Sequence, residues 1–574
     1  MSRATVDTSV TPYAAGAPLD RRATWLAFFL PLALLSIRLG GAPLFDVDEG
    51  AFSEATREMF ERGDFLSTYL NGAPRFDKPI LIYWLQALSV LAFGVCEFAF
   101  RLPSVIAAAA WCQAVAVFAA PRIGSRSASF ACGIAATSFG VFVIGRAATA
   151  DALLNLFLAL ALFDVWRVIE RVSANEVLGR AMAKSALRRA YLWIALGVLT
   201  KGPVAILIPV ATVFLYALVG RGFGKKFATG FTAKPAAAFS ARDAIRMFFD
   251  PVGWLILIVV AAPWYAYALA VHGRDFIDGF FLRHNVERFT GTLQGHKGSA
   301  FYYVLMVPLL MWPWLAWLVA AIVSAISDLR ARSLDPFKRF LWIWCVFVIV
   351  FFSLSGTKLP HYALYGCTPL FVLCAIERKS VKNVWLAAIP VMLLIAFVVA
   401  LPDGLAHAAD AGWIKDAYYR AMAARADVAA PDFYRPIAWT GAALALIALA
   451  WPRRRRKLRG ADPEQRAKRT STRVLEASVI ATLLLCGIGA PLLGEVLQGP
   501  VKRAALAARV MTGDAVTWNF HMPSFAAYRE RVTPIGTPAP GQLGLTRIDR
   551  LPADAAVDRL FEQGGVVLVK RRGN

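Results

Sequence analysis

Long apolar runs separated by short basic segments are the feature that most constrains how this chain can fold. About thirteen runs approach the roughly 20 residues that cross a bilayer as a helix. They lie at 24–43, 102–120, 128–145, 151–168, 190–200, 203–219, 252–271, 301–326, 340–355, 362–376, 384–401, 436–451 and 475–494. With 58% hydrophobic residues and a mean hydropathy of +0.54, the 574-residue chain has more apolar surface than one soluble core can bury. The sequence therefore predicts a polytopic α-helical membrane protein.

The positive charge of the chain indicates orientation in a membrane rather than binding of nucleic acid. Its formal net charge is +24, and the Lys and Arg residues cluster in alternate loops, among them 171–189, 221–246 and "RRRRKLR" at 453–459. Cytoplasmic loops carry such an excess of basic residues. We therefore expect residues 1–23 in the cytoplasm, a transmembrane part over 24–495, and a C-terminus on the opposite, periplasmic side of a bacterial inner membrane.

The outer side then receives two segments that we expect to form helices at the membrane surface, near 50–62 and 79–95. Residues 79–95, "PILIYWLQALSVLAFGV", are apolar enough to span, but a span there would turn every later basic loop outwards. The first segment has an apolar stripe and is predicted to lie flat on the outer leaflet.

The last part of the chain, 496–574, is predicted to form a small α/β domain on the periplasmic side. "AVTWNFHMPSFAAYRERV" and "GGVVLVKRR" have the composition of strands. "PADAAVDRLFEQ" has the apolar spacing of an amphipathic helix. About 75 residues make a marginal domain unless it docks on the membrane part.

Charged side chains recur in the tight turns of the outer side. Asp48 and Glu49 follow the first apolar run in "DVDEG", and other outer segments carry Lys, Arg, His or acidic residues in "RFDKP", "TADALL", "TKGP", "RHNVERF" and "TKLPHY". Asp48 and Glu49 also stand where ordinary helix caps stand. Lys and Arg suit a lipid-linked phosphate, while carboxylates suit acid/base work or a divalent cation. Together they are typical of glycosyl transfer from a polyprenyl-phosphate sugar.

The same motifs, in this order along the chain, resemble those of the C-type glycosyltransferases. They are "DVDEGAFSEATREMFERGDF", "RFDKPILIYW", "TADALL", "TKGP", "RHNVERF" followed by "FYYV", and "GTKLPHYALY". The similarity is greatest to the bacterial transferases that add 4-amino-4-deoxy-L-arabinose to lipid A, which are kin of the protein O-mannosyltransferases. It covers roughly residues 20 to 380 and extends more loosely to the C-terminal domain.

That resemblance implies roles for particular residues. Asp48 would be the main catalytic carboxylate and Asp151 would support it. The donor phosphate would be held by Lys78, Arg288 and Lys201. Asp77 and His284 match positions that would hold a divalent metal such as zinc, although relatives commonly have Glu at the first of these. The substrate cavity would be lined by Glu49, Arg57, Lys358, His361 and Tyr362.

The resemblance also implies an activity and partners. We expect a monomeric, inverting transferase that uses an undecaprenyl-phosphate-linked sugar donor and membrane lipid, without a nucleotide or organic cofactor. The acceptor would be a lipid A phosphate, or alternatively a protein hydroxyl or another envelope glycan. A secondary transporter would place its ionisable residues near the bilayer midplane at paired broken helices. Here those residues lie at the outer ends of the spans, which disfavours a transporter.

Overall fold

The protein is a bundle of helices with a small sheet near its C-terminus. The computed structural model describes residues 17–174, 177–223, 239–287, 291, 298–299, 301–451 and 463–573. The α-helices are α1 Arg21–Ser36, α2 Asp48–Arg62, α3 Leu81–Phe93, α4 Glu97–Ile123, α5 Ser125–Thr137, α6 Phe139–Gly145, α7 Asp151–Ala174, α8 Val177–Lys201, α9 Val204–Phe223, α10 Ala241–Phe248, α11 Pro251–Phe276, α12 Tyr302–Leu310, α13 Leu315–Arg330, α14 Pro336–Leu354, α15 Thr368–Ile376, α16 Val384–Asp410, α17 Ala417–Ala423, α18 Ala426–Ala429, α19 Tyr434–Ala450, α20 Pro463–Leu484, α21 Ala490–Arg509 and α22 Pro523–Arg529.

Shorter helical segments join several of these helices. A π-helical segment, Ile277–Glu287, extends α11, and another, Leu485–Gly489, joins α20 to α21. Two 3₁₀ segments, Pro360–Gly366 and Glu377–Lys379, flank α15. The strands are β1 Tyr69–Leu70, β2 Ala73–Pro74, β3 Ala515–Thr517, β4 Leu543–Arg547, β5 Val557–Gln563 and β6 Val566–Arg571.

Within the described residues, six helical segments are long and apolar enough to cross a membrane. They become seven if the bent pair α5 and α6 counts as one span. The prediction of a polytopic helical membrane protein is confirmed, whereas the count of thirteen is not. Two of the predicted runs, 203–219 and 436–451, form helices of 10–17 residues instead, Val204–Val219 and Tyr434–Ala450. Segment 79–95, which the sequence predicts not to span, contains the similarly short helix Leu81–Phe93.

Helix α7 lies at the centre of the bundle and is the most enclosed of the apolar spans, whereas α11 is the least enclosed. α7 packs against α4, α8 and α9. Its first residue is Asp151, so the most buried span begins with a carboxylate. The acidic segment, residues 44–49, lies at the same end of the bundle. The fold therefore brings charged side chains together at one end of the central helix.

Helix α2 is enclosed by protein rather than lying flat and free on a surface. It packs against α3, α22 and β1, and eleven of its fifteen residues are buried, including Glu54 and Glu58. The helix stops at Gly63, whose φ of 66° is the left-handed conformation that favours glycine. A helix is present where the sequence predicts one, and its polar face is covered by other parts of the chain.

The C-terminal sheet has the strand order β3-β4-β6-β5, with β3 and β4 parallel and the other pairs antiparallel. Helix α21 runs across residue 496, where the sequence predicts that the small domain begins, and β3 starts at Ala515. The prediction of a helix in "PADAAVDRLFEQ" is wrong, because β5 pairs with β6 through a tight turn at Gly564 and Gly565. Both glycines have positive φ, 54° and 74°, which is the backbone that two-residue hairpin turns require.

The predicted strand "AVTWNFHMPSFAAYRERV" is also shorter than expected. β3 ends at Thr517, and α22 begins at Pro523 with its proline in the first helical turn, where proline is favoured. α22 packs against α2 and α21. The C-terminal domain is therefore docked directly on the helix that follows the acidic segment.

Candidate active site

Asp48 lies at the start of α2 with an exposed side chain. The residue before the helix is Val47, and no side chain caps this helix end with a hydrogen bond. Among the described residues, no hydrogen bond or ion pair of the Asp48 carboxylate is found. The capping role that ordinary helix ends suggest is therefore not what Asp48 does here, and its carboxylate is available to a bound substrate.

Glu49 is turned away from the open side and anchors the acidic segment. Its carboxylate takes two hydrogen bonds from Arg101, Nε to Oε1 at 2.9 Å and Nη2 to Oε2 at 2.7 Å. It also accepts the backbone N–H groups of Phe45 at 2.9 Å and Ala148 at 2.7 Å. The Glu49 side chain is only 5% exposed and the Arg101 side chain 4%, so this pair fixes where Asp48 stands.

Arg101 was missed by sequence reasoning. Its guanidinium also donates to the carbonyl oxygens of Leu39, Ala42 and Pro43, at 2.9, 2.7 and 2.8 Å. One arginine therefore holds both ends of the segment that leads from α1 to Asp48. The sequence does contain a signal for this role. Arg101 stands just before the apolar run 102–120, and an arginine at the start of an apolar span usually has a specific partner.

Asp151, Lys201 and Tyr365 form a buried triangle at the end of α7. Lys201 Nζ lies 2.5 Å from Asp151 Oδ1 and 2.7 Å from the Tyr365 hydroxyl, which in turn donates to Asp151 Oδ1 at 2.8 Å. His361 Nε2 lies 3.7 Å from the same oxygen. Asp151 thus orients a lysine and a tyrosine, and Tyr365 joins the residues that sequence reasoning had named from this motif.

The pKa of His361 shows which charged side chains lie near it at this end of the bundle. Burial lowers its pKa to about 4; Asp151 and Asp48 oppose that shift, while Lys201 and Lys78 add to it. Charges act strongly only over short distances in a protein. Asp48, Lys78 and the Asp151 triangle therefore surround one region, although they come from parts of the chain far apart in sequence.

Asp77 is surrounded by positively charged and nitrogen-bearing side chains. Its Oδ1 lies 2.7 Å from Lys78 Nζ and 3.0 Å from His284 Nδ1, and its Oδ2 lies 3.1 Å from Arg75 Nη2. Burial acts to raise the pKa of Asp77, but Lys78, His284 and Arg75 hold it well below its usual range. The carboxylate is therefore ionised and serves to position these three side chains.

The described residues around Asp77 do not fit a divalent metal. Asp77 and His284 are brought together as the resemblance implies, but the described residues contain no group of three or more His, Cys, Asp or Glu side chains that could hold a metal ion. Both Asp77 oxygens already face the cations of Lys78 and Arg75. A divalent cation needs several oxygen or nitrogen ligands free of competing positive charge, and this donor set lacks them.

The remaining predicted residues take varied positions. Arg57 binds Glu54 through two hydrogen bonds of 2.8 Å and Glu61 at 2.8 Å. Lys358 donates to the carbonyl oxygens of Ser353 and Ser355, both at 2.8 Å, and so neutralises the end of α14. The buried Tyr362 ring lies 5.4 Å from Lys201 Nζ. Arg288 lies outside the described residues.

A cavity of about 500 Å³ lies beside Asp77. Three parts of the chain form its walls, the β1–β2 ribbon with the residues after it, the π-helical segment that extends α11, and the C-terminal domain. Its charged and titratable lining residues are Arg75, Asp77, Arg283, His284 and His521. Its polar walls and its place next to Lys78 make it a candidate substrate pocket.

Comparison with solved structures shows the fold of this chain. ArnT from Cupriavidus metallidurans bound to undecaprenyl phosphate superposes with a TM-score of 0.71 and 18% identity, over 96% of this chain and 98% of that one. The apo state of the same protein gives a TM-score of 0.67 with 19% identity, again over 96% of this chain and 98% of that one. The chain therefore shares its fold with this ArnT structure.

Sequence comparison relates this chain to named transferases. The profile of the dolichyl-phosphate-mannose-protein mannosyltransferase family matches residues 77–267. The undecaprenyl phosphate-alpha-4-amino-4-deoxy-L-arabinose arabinosyl transferase of Serratia proteamaculans is 30% identical over 353 residues, 61% of this chain and 58% of that protein. Its counterpart in Yersinia enterocolitica is 29% identical over 366 residues, 63% of this chain and 60% of that protein. The chain therefore spans less than two thirds of the length of these relatives.

Proposed function

We propose that this protein transfers 4-amino-4-deoxy-L-arabinose from an undecaprenyl-phosphate carrier to a phosphate of lipid A. The names of the relatives in Serratia and Yersinia support the donor sugar and its carrier. The superposed structure that holds undecaprenyl phosphate supports a carrier of this class in the shared fold. The reaction would take place at the periplasmic face of the bacterial inner membrane, with the protein acting as a monomer.

The observation that carries the proposal is the exposed Asp48 carboxylate beside a set of buried cations. Asp48 raises and Lys78 lowers the pKa of His361, so both charges lie near it. The Lys78 side chain is only 10% exposed, and its Nζ lies 2.7 Å from Asp77 Oδ1. Fixed positive charge in a partly buried site stabilises a departing phosphate, because it needs no reorganisation when the charge develops. A carboxylate next to such a site suits the acceptor of a glycosyl transfer, which it can orient or deprotonate.

The transfer is a single displacement at the first carbon of the sugar. An oxygen of the acceptor phosphate forms a bond to that carbon while the bond to the carrier phosphate breaks. Undecaprenyl phosphate leaves with the electron pair, and its charge is met by Lys78. Attack from the face opposite the leaving group inverts the configuration at the carbon.

The acceptor decides what Asp48 does. A phosphate monoester with a second pKa of about 6 is already largely ionised at neutral pH, so it needs no strong base. Asp48 would then orient the acceptor or balance the positive charge of the sugar amine. Adding an amino sugar to lipid A offsets its negative charge, which would lower the affinity of cationic peptides such as polymyxin.

A protein hydroxyl or another envelope glycan is the second candidate acceptor. The match of residues 77–267 to the mannosyltransferase family favours it. A hydroxyl group keeps its proton at neutral pH, so Asp48 would then have to act as a general base.

Mass spectrometry of lipid A from cells with and without the gene tests the proposal. We expect deletion to remove a mass increment of the size of one pentosamine, and the intact gene to restore it. Asp48→Asn should restore less than about one hundredth of that product, the scale of a lost proton-transfer or orienting group. Lipid A of unchanged mass in the deletion strain would refute the acceptor and leave a protein hydroxyl or another glycan.

A further inference from the structure

The cavity beside Asp77 has a surplus of positive and hydrogen-bond-donating groups on its walls. Arg75 and Asp77 follow the β1–β2 ribbon, Arg283 and His284 belong to the π-helical segment, and His521 belongs to the C-terminal domain. Asp77 is the single acidic residue among these five, and its charge already faces Lys78 and Arg75. The cavity is therefore suited to a negatively charged group.

Arg75 has buried donors that the described residues leave unused. Its side chain is 10% exposed, and its Nη2 lies 3.1 Å from Asp77 Oδ2. Its Nε and Nη1 atoms are buried and have no hydrogen-bond partner among the described residues. Buried N–H groups without partners are costly and uncommon, so a ligand or ordered water is the ordinary explanation of such donors.

The surroundings of Arg75 add a second unused donor. The guanidinium lies 5.1 Å from the Phe52 ring, and Phe52 stacks on Tyr83 at 5.4 Å. The buried hydroxyl of Tyr83 likewise has no hydrogen-bond partner within the described part of the chain. A stacked guanidinium is held in one orientation, which fixes the directions in which the Nε–H and Nη1–H groups that the described residues leave unpaired can donate to the oxygens of a phosphate.

His521 brings the C-terminal domain to the same cavity. Burial lowers the pKa of His521, and the charge of Arg75 lowers it further, which places the imidazole near the guanidinium. An anion between them would accept hydrogen bonds from both and would favour the protonated form of the imidazole. The charge of Asp48 acts to raise the pKa of Arg75 as well as that of His361, so the Asp48 carboxylate lies near both side chains.

We infer that the cavity binds the phosphate group of the acceptor lipid, with Arg75 donating from the guanidinium N–H groups that the described residues leave unpaired and His521 as a second donor from the C-terminal domain. This inference rests on the proposed function. Lys78 then serves the donor phosphate and Arg75 the acceptor phosphate, on the two sides of the Asp77 carboxylate. The arrangement would place the two phosphates on opposite sides of the reacting sugar carbon, while Asp77 keeps their cations apart.

The test measures binding of lipid A and of phosphatase-treated lipid A to the full-length protein in detergent, together with the KM for the lipid-linked donor. We expect the wild type to bind phosphorylated lipid A about tenfold to a hundredfold more tightly than the dephosphorylated form. Arg75→Gln should remove that preference, Arg75→Lys should keep part of it, and His521→Ala should weaken it. The donor KM should stay within about twofold of wild type.

Arg274→Gln is the matched control. The Arg274 side chain is 89% exposed, is paired with Asp278 and does not line the cavity. The substitution therefore removes one positive charge from the same part of the chain without changing the cavity wall. We expect this variant to bind both lipids as the wild type does. If Arg75→Gln does not elute as a folded monodisperse protein, Arg75→Lys and His521→Ala decide the question.

Two results would overturn the inference. One is an unchanged preference for phosphorylated lipid A in Arg75→Gln or in both alternative variants. The other is a raised donor KM with an unchanged acceptor preference, which would assign Arg75 to the donor. Either result, with a wild type that transfers sugar to lipid A, refutes this inference alone. A wild type that transfers no sugar to lipid A refutes the proposed acceptor as well.

Discussion

Ser524 holds the carboxylate of Asp46 from the far end of the chain. The backbone N–H of Ser524 donates to Asp46 Oδ1 at 2.9 Å, and its hydroxyl donates to Asp46 Oδ2. Gly50 makes the approach possible, because a Cβ on it would lie 2.0 Å from Asp46 Oδ1 and 2.5 Å from the Ser524 nitrogen. Asp46 stands two residues before Asp48, so the C-terminal domain acts directly on the segment that carries the candidate catalytic carboxylate.

Tyr528 makes a second contact of the same kind. Its hydroxyl accepts the backbone N–H of Leu44 at 2.7 Å and donates to Glu97 Oε1 at 2.9 Å. Lys502 lies 2.5 Å from the same Glu97 oxygen. The acidic segment is thus fastened at Leu44 and at Asp46 by helix α22, and at Glu49 by Arg101.

Ser524→Ala should lower the turnover number about tenfold while changing the donor KM little, because a small displacement of Asp48 costs transition-state positioning. It should also lower stability by about 1–3 kcal/mol, since it removes a hydrogen bond from a buried carboxyl group. Steady-state transfer and thermal unfolding of the detergent-solubilised protein measure the two effects.

Thr537→Ala, at an exposed site of the same domain, is the control and should behave as wild type. A double-mutant cycle of Asp46→Ala with Ser524→Ala should give a coupling of about 0.5–3 kcal/mol. Additive effects of the two substitutions would show that the contact does not matter in solution.

The stability of the protein should fall as the pH rises from 5 to 8. Burial raises the pKa of Asp46 from its ordinary value of 3.8 to about 7, so the folded protein holds this proton more tightly than the unfolded chain does. The resulting stabilisation is complete below the unfolded pKa and is lost as the pH rises through 7. Melting temperatures measured across this range should show that decline.

Asp46→Asn should flatten the pH profile, because its side-chain amide can still pair with Ser524 but does not ionise. The slope that remains depends on two opposing groups: burial raises the pKa of Glu54 to about 7, which adds to the decline, and lowers the pKa of His361 to about 4, which opposes it. A wild-type melting temperature that rises between pH 5 and 8 would contradict the assignment.

Arg101→Ala should destabilise the protein by about 3–5 kcal/mol, the usual cost of removing one partner of a buried ion pair. It leaves Glu49 charged and buried, and it frees three backbone carbonyl groups. Glu49→Gln should cost less, because the amide oxygen still accepts one of the two hydrogen bonds from Arg101. Thermal unfolding compares the stability of the two variants. Equal losses of stability would mean that Arg101 contributes no more than its contact with Glu49.

Lys78→Ala should raise the donor KM at least about tenfold, because it removes a charged partner of the carrier phosphate. Lys415→Ala is the control, since Lys415 is exposed and belongs to the later loop that follows α16. Binding of undecaprenyl phosphate measured on both variants gives the comparison. Wild-type affinity in Lys78→Ala would assign the carrier phosphate to other cations.

The membrane character, the helical class and the motif order could be read from the sequence because they depend on local composition. Apolar length predicts spans, and the "DVDEG", "RFDKP" and "KLPHY" motifs occur in one order along the chain. The same local reasoning failed at β5, where an apolar spacing typical of a helix lost to the strand pairing that Gly564 and Gly565 impose.

The division of labour among the acidic residues was decided by tertiary structure. Asp46, Asp48 and Glu49 are neighbours in sequence and equally acidic, yet Ser524 binds the first, Arg101 binds the third, and the second is left exposed. These partners lie 478 and 52 positions away, so no local pattern reports them. The sequence alone determined which chemical groups stand at this end of the bundle, and long-range packing determined which of them remains available to react, because burial and pairing depend on what the rest of the chain brings alongside.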